Sequence, residues 1–398
     1  MYNKIIFENL KKVCRDSDKF FMNIVEYKGH RLAVFDYMLT IPNDFADYYA
    51  MESRGSVFEV DENDDYVATV CLPYEKFFNR HELNNPTGND INEMYRKKFR
   101  VNEHDLVQGL IDLGHEPLIM EKRDGSIITF FWLNGELDCK SNSSLTSDYK
   151  YEAMDIAKSN DFLYKRIHNL CKNGFSVITE YTSRNPTRQI VVPYEEDALI
   201  VTGVRDNLSG KYLTYQEILN HFSKKYTVRV FDDVEIDDYE SEGIEGYILW
   251  FEELGLRIKL KTKWYIDRHR IATALSPKQV WIMYLNEEVD DMVGFVMPQH
   301  KEYFDELIKQ VDDLFNSIIH HGKELYEKHY SEDRKSFFMS LQTETFDDHW
   351  QYVSSLYAKN RYLNSEEEAM LMLVDYLQQR NHMSNLEISK LGTKKLDG

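Results

Sequence analysis

Between Ser126 and Lys261 the chain alternates short runs of β-branched and aromatic residues with polar turns. Ser126 to Leu133, Phe175 to Tyr181, Ile190 to Pro193, Leu199 to Val204, Tyr247 to Phe251 and Leu256 to Lys261 have the length and composition of strands. Between the first two, Tyr151 to Lys172 sets Met154, Phe162, Ile167 and Leu170 among charged residues and stops at Asn173 and Gly174, which predicts a helical insertion. After His269 the β-branched runs thin out and only helix signals remain. Ser276, Pro277 and Gln279 supply an N-cap, a proline at the first helical position and a capping-box partner. Ser365 and Glu368 repeat the device ahead of an apolar run from Ala369 to Leu377. The pattern therefore predicts an α+β domain over residues 1–270 and an all-α domain over 271–398.

A length of 398 residues also favours two cores over one, and 42% hydrophobic and 14% aromatic residues supply the apolar surface both need. The formal charge of -20 argues mildly against a nucleic-acid partner, because 68 acids face 48 bases. Yet Arg257, Lys259, Lys261, Lys263, Arg268 and Arg270 crowd one stretch, so a locally positive groove on an acidic body is compatible with the composition. Asp232 to Glu242 reads as a solvated acidic loop, and the adjacent Asp290 and Asp291 as a solvated pair on a helix. The cysteines, Cys14, Cys71, Cys139 and Cys171, lack metal-ligand spacing, which fits a reducing cytoplasm. Neither an apolar leader nor a membrane-length run is present, so a soluble cytoplasmic protein without a membrane partner is expected.

Candidate chemistry centres on Lys122, Arg123, Asp124, Gly125 and Ser126, a K-x-D-G string directly before a predicted strand. Such a string arises by chance in about one chain in ten of this length, so its context has to decide. A lysine nucleophile must be deprotonated near neutral pH, through desolvation or neighbouring cations. In Ile258, Lys259, Leu260, Lys261, strand periodicity sets both lysines on one face, where they suit a triphosphate. An edge strand guarded by lysines would look the same. Arg54 beside Gly55 suits a ribose or phosphate, and Lys76 a further phosphate contact, with a surface turn and an aromatic core pair as the plainer alternatives. Glu180 and Glu245 stand at strand ends, where a divalent cation or a ribose hydroxyl is held by carboxylates.

Taken in order, Arg54 in its RGxxFE setting, Glu75 to Asn79, Lys122 to Ser126, Glu180 in ITEY, Glu245 in IEGY and Lys259 to Tyr265 resemble the phage ATP-dependent RNA ligase 1 family, whose members repair broken tRNA. The resemblance runs through about the first 270 residues. It implies an N-terminal nucleotidyltransferase (adenylyltransferase) domain with antiparallel sheets and flanking helices, ahead of an all-α domain with a role in tRNA recognition. Lys122 would carry AMP, with Lys259 and Lys261 assisting attack and pyrophosphate departure. Arg54, Lys76, Phe78, Gly125 and Tyr265 would join the nucleotide site, and Glu180 and Glu245 would also serve the metal. ATP and Mg2+ would be the cofactors and a nicked tRNA anticodon loop the RNA partner, for a monomer in the cytoplasm, the host's if phage-encoded. A capping-type guanylyltransferase, or a non-catalytic RNA-end binding protein on a ligase scaffold, are the alternatives. Asn142 replaces a lysine that the family carries two positions after the residue matching Lys140, so Lys140 or another base would have to stand in.

Overall fold

The computed structural model describes residues 2–38, 40–84, 90–185, 188–232, 234, 240–274, 277–285, 289, 298–342, 353 and 373. The chain divides into two compact units, Met1–Asp267 and Arg268–Gly398.

The strands of the first unit are β1 (Phe20–Tyr27), β2 (His30–Tyr37), β3 (Val57–Val60), β4 (Tyr66–Cys71), β5 (Leu118–Lys122), β6 (Ser126–Leu133), β7 (Glu136–Lys140), β8 (Phe175–Thr182), β9 (Ala198–Asp206), β10 (Val230–Phe231), β11 (Gly246–Phe251) and β12 (Leu256–Lys261). They form three four-stranded sheets, ordered β1-β2-β3-β4, β10-β5-β11-β12 and β7-β6-β8-β9, and the named strands pair antiparallel throughout. Helices α1 (Tyr2–Asp16), α2 (Arg80–Leu83), α3 (Asp90–Phe99), α4 (Leu106–Asp112), α5 (Asp148–Ser159), α6 (Asp161–Lys172) and α7 (Tyr215–His221) flank them, and α8 (Lys263–Ala274) follows β12.

Period-two alternation in β12 does most to place the site. Leu256, Ile258 and Leu260 pack into a core shared with Val107 and Leu110 of α4 and with Phe78. Burying such side chains is worth about 1.5–3 kcal/mol each. The same alternation turns Arg257, Lys259 and Lys261 to the opposite face. Although β12 ends its sheet, the backbone N–H of Lys259 donates to Phe78 O at 2.8 Å, so the segment after β4 covers part of that edge.

One sequence expectation needs correction and another gains detail. Residues 190–193 form no strand; the N–H groups of Val191 and Val192 both donate to Asp124 Oδ2 at 2.9 Å, so a carboxylate takes the place of a neighbouring strand. The helical insertion is two helices, α5 and α6, broken at Asn160, whose side chain caps α6 by accepting from Leu163 N. In α6, Leu163, Ile167, Leu170 and Cys171 form the buried stripe.

The second unit contributes α9 (Pro277–Leu285) and helices Pro298–His329 and Arg334–Leu341. Its core includes Trp281, Phe304, Leu307, Val311, Phe315 and Phe337. Pro277 opens α9, while Ser276, Ser365, Glu368, Asp290, Asp291 and most of Asp232 to Glu242 lie outside the described residues. Among the described residues no helix is long and apolar enough to cross a membrane.

Candidate functional site

Lys122 ends β5, and the register Lys122↔Gly246↔Lys261 carries it across β11 to β12. Glu245, just before that register position, takes Lys122 Nζ at 2.5 Å on Oε2 and Lys261 Nζ at 3.2 Å on Oε1. Its side chain is 5% exposed, against 19% for Lys122 and 26% for Lys261. Only glycine suits position 246, since φ is +152° and a Cβ would fall 1.9 Å from Leu260 O. Gly125 answers a different crowding: a Cβ there would fall 2.3 Å from Tyr181 O, where β8 crosses the turn after Lys122.

Lys122 opens on a cavity of about 230 Å3 that Arg54, Phe77, Gly125, Glu180, Arg257 and Lys259 also line. Arg54 Nη1 is buried without a hydrogen-bond partner among the described residues. Lys259 Nζ sits 4.7 Å from the Phe77 ring centroid. Burial, reinforced by the charges of Arg54, Lys122 and Lys76, pushes Lys259 well below the usual lysine range. Burial also raises Glu180 to about 7; Lys122 opposes the rise and Glu245 adds to it. An added anion would relieve this concentration of cations, which suits a polyphosphate.

Of the residues singled out in the sequence, Arg54, Lys122, Gly125, Glu180 and Lys259 line the cavity, while Glu245 and Lys261 join through the ion pairs to Lys122. Tyr265 lies one layer behind, its ring 4.8 Å from Lys261 Nζ and its hydroxyl donating to Asp124 Oδ1 at 2.9 Å. Lys76 does not line the cavity; its amine lies among the rings of Tyr37, Phe45 and Phe78, 5.1, 5.3 and 5.8 Å from their centroids. Phe78 is a core residue, 1% exposed, and its neighbour Phe77 lines the cavity instead. Lys140, the base beside Asn142, is not among the residues lining the cavity; it is fully buried and donates to the carbonyls of Ser141 and Asn142.

Two residues that the sequence analysis named within a motif or a basic stretch, without giving either a place in the site, belong to it. Asp124 is the hub of the loop behind Lys122: its carboxylate binds Val191, Val192 and Tyr265, and its own N–H donates to Tyr194 Oη at 3.0 Å. Arg257 also lines the cavity, 4% exposed, stacked among Tyr74, Tyr212 and Trp250, with Nε and Nη2 lacking hydrogen-bond partners among the described residues. Its place two residues before Lys259 was the available signal, since alternation sets both on one face.

The profile of the RNA ligase family matches residues 52–265. A protein of Thermovibrio ammonificans named as a candidate RNA ligase is 27% identical over 270 residues, 65% of this chain and 70% of that protein. An RNA ligase of Rhodothermus phage RM378 is 21% identical over 401 residues, 85% of this chain and 86% of that protein. Among solved structures, an RNA ligase of Naegleria gruberi with ATP and Mn is similar at 15% identity and a TM-score of 0.32, over 41% of this chain and 55% of that one. The chain thus spans about half the length of that ligase.

Proposed function

The chain belongs to the RNA ligase family, and from that premise we propose that it joins RNA 5'-phosphate and 3'-hydroxyl ends, using ATP and Mg2+, with AMP carried on Lys122. The observation that carries this reading is the placement of Lys122 on the cavity wall, sharing Glu245 with Lys261 and standing within electrostatic reach of Lys259.

Lys122 attacks the ATP α-phosphorus; a P–N bond forms, the P–O bond to pyrophosphate breaks and the amine loses a proton. Glu245 Oε2, at 2.5 Å, is the nearest group to receive that proton. Lys259 and Lys261 meet the charge that grows on the phosphate oxygens, and Arg54 presents to the nucleotide its Nη1, which has no hydrogen-bond partner among the described residues. AMP then passes to an RNA 5'-phosphate, and an RNA 3'-hydroxyl displaces it to close the strand.

Glu180 and Glu245 suit Mg2+, since they are carboxylates within electrostatic reach of each other and a hard cation accepts one or two such groups beside phosphate oxygens and water. Bound there, the ion would offset phosphate charge and orient the leaving group. A nicked tRNA anticodon loop is the proposed substrate, joined in the cytoplasm by a monomer. Incubation with α-labelled ATP and Mg2+ tests the reading: wild type should retain label stable to base, and Lys122→Ala should lose it by more than about a thousandfold. An unlabelled wild type would sink the covalent mechanism, and preferential labelling by GTP would support a guanylyltransferase instead.

A further inference from the structure

A second surface of the first unit carries an exposed ring stacked on a half-buried one, beside exposed bases. Phe162, at the start of α6, is 41% exposed and stacks on Tyr226, with ring centroids 5.5 Å apart and planes 25° from parallel. Asn160 Nδ2 donates to Tyr226 Oη at 2.8 Å, fixing the stack to the break between α5 and α6. The Arg166 guanidinium lies 5.3 Å from the Phe162 centroid and Lys225 Nζ 5.6 Å from that of Tyr226. Residues 158–166 hold Lys158, Lys165 and Arg166 against Asp161, and residues 224–229 hold Lys224, Lys225 and Arg229 with no acid. All six of these bases are exposed. Such a local excess stands out in a chain whose acids outnumber its bases 68 to 48.

The patch also lies close to the cavity. Val228 lines it, two residues and about 7 Å of extended chain from Tyr226. Farther along the same segment, Arg229 O accepts from the N–H of Glu121, the residue before Lys122. We propose that the Phe162–Tyr226 stack, with Arg166 and Lys225, binds the single-stranded part of an RNA substrate near the end presented to Lys122. The rings take an unstacked base, and the two cations, now over ring faces, turn to the flanking phosphates. This rests on the proposed RNA-joining activity and adds to it a place for the strand.

Direct binding separates the two ideas, because it needs no catalysis. Fluorescence anisotropy of a labelled single-stranded oligoribonucleotide should show about tenfold weaker binding for Phe162→Ala. Arg166→Glu and Lys225→Glu should weaken binding and flatten its salt dependence, while the charge-matched control Lys12→Glu on α1 should do neither. The far-ultraviolet circular dichroism spectrum and the urea unfolding midpoint, which need neither RNA nor nucleotide, report whether each variant is folded. If Phe162→Ala fails that check, the two exposed-base variants carry the test. Wild-type affinity in all folded variants would overturn the proposal, reducing the stack to a packing contact, whatever the outcome for Lys122.

Discussion

Two carboxylates in this protein each stand between two lysines, and they do different work. Asp138 on β7 accepts from Lys150 at 2.8 Å, Lys28 at 2.9 Å, Tyr27 Oη at 2.8 Å and the Cys139 N–H at 2.8 Å. Burial pushes it up, yet the hydrogen bonds from Lys150, Lys28 and Tyr27 outweigh burial and hold it below the usual carboxylate range. Glu245 takes Lys122 and Lys261 at 2.5 and 3.2 Å, but Lys122 also faces a 230 Å3 cavity. The first cluster saturates its acceptors and ties β1 and α5 to β7; the second keeps partners that a ligand can exchange. Composition alone does not separate the two, whereas an adjoining cavity does.

The largest expected effect comes from removing the exchangeable carboxylate. Glu245→Gln should lower AMP transfer to the protein by about 10^2 to 10^3-fold. Its stability should fall by less than about 1 kcal/mol, because two partly exposed lysines can hydrate. A collapse of the fold in urea unfolding would erase the distinction. Asp138→Asn should do the reverse: loss of about 3 kcal/mol, since Lys150 is left buried without a counter-charge, and near-normal AMP transfer well below its melting temperature.

A ligand sharpens the same contrast. ATP with Mg2+ at about 100 times its Kd should stabilise wild type and Asp138→Asn alike by about 2.7 kcal/mol, read as a thermal shift. Glu245→Gln should gain much less; an equal shift in all three would remove Glu245 from the nucleotide site.

The smallest effect is a pH dependence at Glu180. Its folded pKa is raised from 4.5 to about 7, so between those values the folded state binds more protons than the unfolded one and stability falls as pH rises. The penalty is fully present above about 7 and vanishes below 4.5. Glu180→Gln should flatten that slope and gain about 1–2 kcal/mol at pH 8, less than the full shift implies because the residue borders a cavity open to water. An unchanged slope would mean that another group titrates.

Much of the fold was legible wherever the side-chain pattern and the backbone agreed. Ser126 to Leu133 and Leu256 to Lys261 match β6 and β12 end to end: β12 alternates one apolar face against a core, and β6 is a mostly apolar run buried on both faces, Ile128 and Phe130 in one core, Phe131 and Leu133 in another. Ile190 to Pro193 misled for a local reason: Val191 and Val192 are buried like strand residues, but their N–H groups serve a carboxylate rather than a ladder, and Ile190 is exposed. Lys76 and Phe78 share a motif with Phe77, yet only Phe77 reaches the cavity, a choice of side-chain direction that adjacency does not reveal.

From sequence alone came the α+β pattern, the K-x-D-G lysine and the shared face of Lys259 and Lys261, since each depends on spacing within one segment. Tertiary structure decided which carboxylate pairs with Lys122, that Asp124 anchors the loop behind it and that Arg257 shares the cavity with Lys122. Those outcomes join residues more than a hundred positions apart, and only sheet register and packing bring them within reach of hydrogen bonds and charge.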